Sequence, residues 1–278
     1  MEANLLEKFK DAFSWETLRL LSPKLPMVAS SHGYEIDRII YILHGLMAVL
    51  FVGWGIFFVV ALWRFRKTKH PKADYRGVTS HKSSYIEIGL AIIETVLLLG
   101  FSIPFWAKQV NALPNRPDAI EVKVIAEQFA WNIHYPGADG IFGNTDIQYF
   151  DKQANPVGLD PNDPNGKDDF TTINQLHLPI GRPAIIHLTS KDVMHSFALH
   201  FMRVKQDIIP GMSIPTWFTP TKSGEFEIGC AQLCGIGHYY MRGKLIIHHE
   251  EDFQSWVAKH APSAEEEGGE GGYDDFWN

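Results

Sequence analysis

The sequence predicts a membrane α plus all-β protein: a two-helix transmembrane hairpin followed by a β-barrel or sandwich. Three observations carry this prediction. Residues 39–63 form an uncharged apolar run of 25 residues, and about 20 apolar residues in a helix cross the hydrocarbon core of a bilayer. Residues 85–107, YIEIGLAIIETVLLLGFSIPFWA, form a second apolar run. Downstream, short stretches of alternating apolar and polar residues recur between Gly-, Pro- and Ser-containing turns, as in sandwiches and barrels. The mean hydropathy of −0.10 is therefore an average over unlike parts.

The first 35 residues carry LLEKFKDAFSWETLRLL, with apolar residues at roughly helical spacing, so an amphipathic helix is expected there. Glu7, Lys8, Lys10 and Asp11 interrupt any signal-peptide core. The transmembrane hairpin is expected over 36–108, with spans at 39–63 and 85–107. Glu87 and Glu94 lie seven residues apart, on one helical face, which should meet protein or water rather than lipid. Pro104 is tolerated near a span's end, and Trp54, Trp63 and Trp106 include interfacial anchors. Between the spans, Arg64, Arg66, Lys67, Lys69, Lys72, Arg76 and Lys82 face a single acid, Asp74. The positive-inside rule places this loop in the cytoplasm and both termini outside it, in the periplasm of a bacterial inner membrane.

Residues 109–120 read as a Pro/Asn-rich linker, and 121–262 as an outer β domain. Strands are expected in AIEVKVIAEQFAWNIHY, in two pieces around Gly181 and Pro183, in TWFTPTKSGEFEIGC and in RGKLIIHHE, with a short helix in EEDFQSWVAKHA. Residues 136–170 lack apolar periodicity and read as a long acidic surface loop. Its DPNDPNG stretch places Pro164 where a calcium ligand is needed, which argues against a calcium loop. Residues 263–278 form an acidic tail without Lys or Arg.

Composition narrows the function classes. A net charge of −7 argues against nucleic acid as a partner, because such a protein needs a basic face to displace counterions. Two cysteines exclude a disulfide scaffold and a four-cysteine iron–sulfur site, and the absence of Cys-x-x-Cys-His excludes a covalently held haem.

Both cysteines fall in Gly229-Cys230-Ala231-Gln232-Leu233-Cys234-Gly235-Ile236-Gly237-His238-Tyr239-Tyr240-Met241. Thiolate, imidazole and thioether together select copper or zinc over calcium or magnesium. A Cys230–Cys234 disulfide and a structural Cys₂His₂ zinc site are the competing readings, though the spacing matches the latter poorly. Gly235 and Gly237 let the loop wrap an ion, and a second thiolate allows two coppers bridged by both sulfurs. Such a pair needs another imidazole, which Lys191-Asp192-Val193-Met194-His195-Ser196-Phe197 can supply through His195. His177, His187, His248, His249 and His200 are read as structural or surface histidines.

With Cys-x-x-x-Cys-x-x-x-His-x-x-Met, Asp-Val-x-His-Ser and the intervening Val204-Lys205-Gln206-Asp207-Ile208-Ile209-Pro210-Gly211, the chain resembles subunit II of the haem–copper cytochrome c oxidases over nearly its whole length. The resemblance implies a cupredoxin-like outer domain with a binuclear copper centre, CuA. Cys230 and Cys234 bridge the coppers, His195 and His238 bind one each, and Met241 and the Gln232 carbonyl are axial ligands. It implies electron transfer from a reduced cytochrome c, soluble or membrane-bound, to haem in catalytic subunit I. There O2 is reduced to water with proton pumping, among further oxidase subunits; no haem is expected on this chain.

Two departures matter. The family's Glu between the cysteines, a magnesium ligand, is Gln232 here, a neutral amide, which argues against magnesium. The family's Gln-Trp-x-Trp stretch, through which electrons arrive, is Gln128-Phe129-Ala130-Trp131 here, which points to Trp131 or another aromatic. Glu87 falls near a family carboxylate at the mouth of a proton pathway and is expected in that role. The competing assignments are a copper-free quinol oxidase subunit, the CuA subunit of a nitric oxide or nitrous oxide reductase, and a membrane-tethered copper-binding module. The intact ligand set argues against the first.

Overall fold

A computed structural model describes residues 24–72, 75, 76, 80–111 and 113–261. The amphipathic helix expected within 5–21, Asp74 and the acidic tail at 263–278 lie outside the described residues. The chain divides into a helical unit and a β unit.

In the helical unit, α1 spans Gly33–Arg64, and α2 spans Lys82–Leu97. A π-helical turn, Leu98–Ser102, joins α2 to α3, Ile103–Asn111, so that Lys82–Asn111 is one continuous rod of 30 residues. The turn has a local cause in Pro104. Proline lacks the N–H of the ordinary helical ladder and its ring crowds the carbonyl four residues back, at Gly100; a wider turn relieves both. Both helices are long and apolar enough to cross a membrane. They run past the expected spans at both ends, because flanking polar residues continue the helices. Their apolar side chains, such as Phe51 at 80% exposure, face outward, the arrangement of a surface made for lipid or for other helices.

The β unit comprises 27–33 and the chain from Leu113 onward. Its strands are β1 Ile120–Glu127, β2 Ala130–Tyr135, β3 Phe170–Ile173, β4 Gln175–Pro179, β5 Ala184–Ser190, β6 His195–Leu199, β7 Val204–Ile208, β8 Ile214–Phe218, β9 Gly224–Cys230 and β10 Arg242–His248. They make two five-stranded sheets, ordered β3-β2-β1-β5-β8 and β4-β10-β9-β6-β7. β1 runs parallel to β5 and β4 parallel to β10, while the other pairs are antiparallel. Alternation drives the packing. Val122, Val124 and Ala126 of β1, Ile186 and Leu188 of β5, and Leu245 and Ile247 of β10 point inward and meet Trp131, Phe197 and Ile228 in one buried cluster. This two-sheet sandwich is the expected cupredoxin-like outer domain.

Residues 27–33, expected in the N-terminal segment, belong to this unit. Ala29 N–H donates to the Phe201 carbonyl at 2.8 Å and Ser30 Oγ to the Met202 carbonyl at 2.6 Å, with Ala29 fully buried. The single strand expected over 119–135 is a hairpin, β1 and β2. Three strands, β3, β6 and β7, had no clear sequence signal. β6 is buried at every position, so it lacks alternation, and β7 carries charges along a short run.

The acidic loop at 136–169 is less of a surface loop than its composition suggests. Its carboxylates bind its own backbone: Asp146 accepts from Gln148 N–H, Asp151 from Gln153 and Ala154, Asp160 from Asn162, and Asp168 from Ala138 and Asp139. Asp163 caps the turn that Pro164 begins and also accepts from Asn144; these two backbone bonds hold its carboxyl below the usual range. Asp169 is buried, accepts from Gly143 N–H and meets His134 Nε2 at 2.6 Å. Local side-chain-to-backbone bonds thus replace the missing hydrophobic periodicity.

Candidate metal centre

One end of the second sheet brings the sulfur and imidazole groups together. β9 ends at Cys230, the loop 231–237 follows, and a single 3₁₀ turn, His238–Tyr240, leads to Met241 and into β10. His195 opens β6, the neighbour of β9. Ala231 N–H donates to the Ser196 carbonyl at 2.9 Å, tying the start of the loop to the strand that carries His195.

The loop folds over the side chain of Phe129, and this explains its glycines. A Cβ on Gly237 would lie 2.4 Å from the Phe129 ring, and one on Gly235 would lie 2.7 Å from Gln128 Nε2. Gly235 also has φ +135°, a backbone conformation that favours glycine. Gln128 Nε2 donates to the Cys234 carbonyl at 2.6 Å, fastening the middle of the loop to the β1–β2 hairpin.

The donor atoms form a connected set. Cys230 Sγ is 3.8 Å from Cys234 Sγ and 3.9 Å from His195 Nδ1. Cys234 Sγ is 3.6 Å from His238 Nδ1 and 3.7 Å from Met241 Sδ. The Gln232 carbonyl oxygen is 3.1 Å from Cys230 Sγ. Ligand atoms of His195, Cys230 and Cys234 all lie within 4.8 Å of one another, the only such grouping of three or more His, Cys, Asp or Glu among the described residues. His195, Cys234 and Met241 are buried, and Cys230, Gln232 and His238 are half-buried.

These distances speak against one of the sequence alternatives, the disulfide. Both cysteines are free thiols, so the disulfide is not formed. Two sulfurs sharing an ion at about 2.3 Å each, near the tetrahedral angle, stand about 3.8 Å apart, which is the separation present. Burial, with the Cys230 thiol beside it, pushes the Cys234 thiol up to about 11. The bare thiolate is the disfavoured form there, and a cation that displaces the proton neutralises its charge; a soft donor set of this kind suits copper.

The imidazole is aimed by a residue that sequence reasoning quoted but did not assign. Asp192 Oδ1 lies 2.9 Å from His195 Nε2, so Nε2 carries the proton and Nδ1 turns its lone pair toward the sulfurs. Asp192 also accepts from the backbone N–H of Val193 at 2.6 Å and of Gln128 at 2.7 Å. Burial works to raise the Asp192 pKa, but the bonds from His195, Gln128 and Val193 outweigh it and hold the carboxyl below its ordinary value. The signal was an acid three residues before His195, the histidine expected as a ligand.

Trp131 has zero exposure, with its ring 6.3 Å from His195 and 5.5 Å from Phe197, both edge-on. It touches His195 from inside the sandwich, away from the surface. Tyr239 and Tyr240 are exposed, and Tyr240 packs edge-on to Phe129 at 5.7 Å. Glu87 and Glu94 are both exposed on α2. His200 sits in a separate 3₁₀ turn, His200–Met202, and His187 pairs with Glu121 at 2.8 Å, as structural histidines do. His249 lies off the strands and precedes a short helix, α4, Glu250–His260.

Residues 120–248 match the family model described as cytochrome c oxidase subunit II, periplasmic domain. The alternative cytochrome c oxidase subunit 2 of Bradyrhizobium diazoefficiens is 33% identical over 231 residues, covering 83% of this chain and 81% of that protein. Cytochrome c oxidase subunit 2 of Synechocystis sp. is 27% identical over 260 residues, covering 87% of this chain and 77% of that one. Among solved structures, the periplasmic domain of subunit II of cytochrome oxidase from Bradyrhizobium japonicum is 28% identical, covering 54% of this chain and 96% of that chain, with a TM-score of 0.39.

Proposed function

From the premise that this chain belongs to the cytochrome c oxidase subunit II family, part of an oxidoreductase complex, we propose that its β unit holds a binuclear CuA centre and relays electrons. The donor is a reduced cytochrome c, and the acceptor is haem in catalytic subunit I, which reduces O2 to water with proton pumping. The observation that carries this reading is the connected donor set of Cys230, Cys234, His195, His238, Met241 and the Gln232 carbonyl. Copper held there by these residues would supply a one-electron couple.

The chain's own residues keep that couple's surroundings fixed. Asp192 orients His195, the Gln128 amide holds the loop, and Phe129 fills the space beneath Gly235 and Gly237. Donors held by a sandwich rather than by a flexible segment need little rearrangement when charge changes. Burial of His195, Cys234 and Met241 keeps solvent away. In this reading the donor approaches the exposed Tyr239 and Tyr240, and any part played by Trp131 is from beneath His195. The acidic balance of the chain attracts a basic carrier. The basic loop between the helices lies in the cytoplasm, with both termini and the β unit in the periplasm. Glu87 serves a proton pathway into subunit I, and the neutral Gln232 side chain supports no magnesium ion.

The test is stopped-flow mixing of ferrous cytochrome c with the purified oxidase complex carrying Cys230→Ser, compared with wild type. Slow cytochrome oxidation by the variant, with the haem spectrum of the complex unchanged, is expected. Oxidation at the wild-type rate would contradict the relay.

A further inference from the structure

A second group of metal-binding side chains lies away from the thiols, where α4 packs on the edge of the second sheet. Trp256 of α4 lies flat on His177 of β4, with ring centroids 4.0 Å apart and 9° between the planes. His177 Nδ1 is 2.8 Å from His248 Nε2, at the end of β10. The two imidazoles are 13° from coplanar with centroids 5.0 Å apart, the span of two rings laid end to end across such a contact. Gln175 Oε1, 3.3 Å from His177 Nε2, accepts that N–H. His177 Nδ1 therefore carries the lone pair, and His248 Nε2 supplies the one proton shared between the rings.

A proton held in line between two imidazole nitrogens occupies the place that a two-coordinate cation takes in a linear N–metal–N unit. We propose that His177 and His248 form a site for a monovalent soft cation of the Cu(I) class, roofed by the indole of Trp256. Two donors in line, rather than three or four converging, separate this site from a zinc site. No third His, Cys, Asp or Glu joins the pair among the described residues. The three centroid separations put the midpoint of the pair about 4.6 Å from the centre of the Trp256 ring, inside the cation–π range of about 6 Å. Asp252, in the first turn of α4, adds favourable charge beside His248.

Binding requires the nitrogens to separate to about 4 Å, for two bonds of about 2.0 Å. His177 is buried, whereas His248 is half-buried at a strand end and can move outward. The His248 proton shifts from Nε2 to Nδ1 through solvent, so the cation enters without net proton release. The proposal does not depend on the copper relay.

The test uses Ag(I), a redox-inert probe of the same class, added to the full chain carrying Cys230→Ser and Cys234→Ser, which has no thiols. Ag(I) binding with a change in tryptophan fluorescence is expected. His248→Gln should weaken that binding at least tenfold, and Trp256→Phe should keep the binding but lose most of the fluorescence change. Binding unaffected by His248→Gln would overturn the site. Should the thiol-free chain not fold, nitrogen-15 histidine spectra of the copper-loaded wild type give the same decision. Ag(I) must shift the ring nitrogens of His177 and His248, and unmoved signals would overturn it.

Discussion

Asp192→Asn is the sharpest single perturbation of the metal centre. The wild-type carboxylate accepts from His195 Nε2 at 2.9 Å, Val193 N–H at 2.6 Å and Gln128 N–H at 2.7 Å, with a longer bond from Ser190 Oγ at 3.3 Å. The Oδ1 atom serves the first two and Oδ2 serves Gln128. Asparagine has the same shape but only one acceptor oxygen, so its NH₂ group must face a donor on one side or the other. If it faces His195, the ring loses the partner that keeps the proton on Nε2 and the lone pair of Nδ1 on Cys230. If it faces Gln128, the β1–β2 hairpin that holds Cys234 through the Gln128 amide is loosened. Changes to groups that orient a ligand histidine typically cost about 10–100-fold in metal affinity, or about 1.4–2.7 kcal/mol. The assay is competition for copper between the protein and a chelator of known affinity, with folding checked by circular dichroism. Copper affinity within about twofold of wild type, well below that range, would refute the assignment of Asp192 as the residue that positions His195.

Gly237→Ala places a methyl group 2.4 Å from the Phe129 ring, and overpacking of this kind costs about 1–3 kcal/mol. A lower urea midpoint is expected, partly restored by adding Phe129→Ala; strict additivity of the two changes would count against the contact. Copper uptake should tighten as pH rises, because burial and the neighbouring Cys230 thiol raise Cys234 to about 11 and the cation must displace its proton. The expected slope is about tenfold per pH unit for each proton released, and a pH-independent chelator competition would contradict it. Burial, with His248 alongside, depresses His177 from 6.5 to about 3. The unfolded chain then binds this proton more readily, so the contribution is complete above about pH 6.5 and is lost as pH falls toward 3. Urea midpoints measured across that range should fall more steeply for wild type than for His177→Gln; identical slopes would contradict it.

The fold was legible where one physical rule dominated. A long uncharged run has few alternatives to a span, and β1, β5 and β10 alternate because one face of each meets the core. It was illegible where burial was two-sided, as in β6, or where side chains bonded to nearby backbone, as in the loop at 136–169. The candidate metal site was legible as a cluster because its sulfur side chains lie within twelve residues of chain, Cys230 to Met241. Asp192 and Gln128 were not assigned, since their roles rest on contacts between the ends of separate strands. The pairing of His177 with His248 joins residues 71 positions apart, and only the register of β4 beside β10 brings them together.

Copper counting combined with electron paramagnetic resonance tests the central claim most directly. The full chain should hold two coppers that depend on Cys230 and Cys234, and its oxidised form should show the hyperfine pattern of one unpaired electron shared equally by two copper nuclei. One copper with a localised signal, or zinc in its place, would contradict the account.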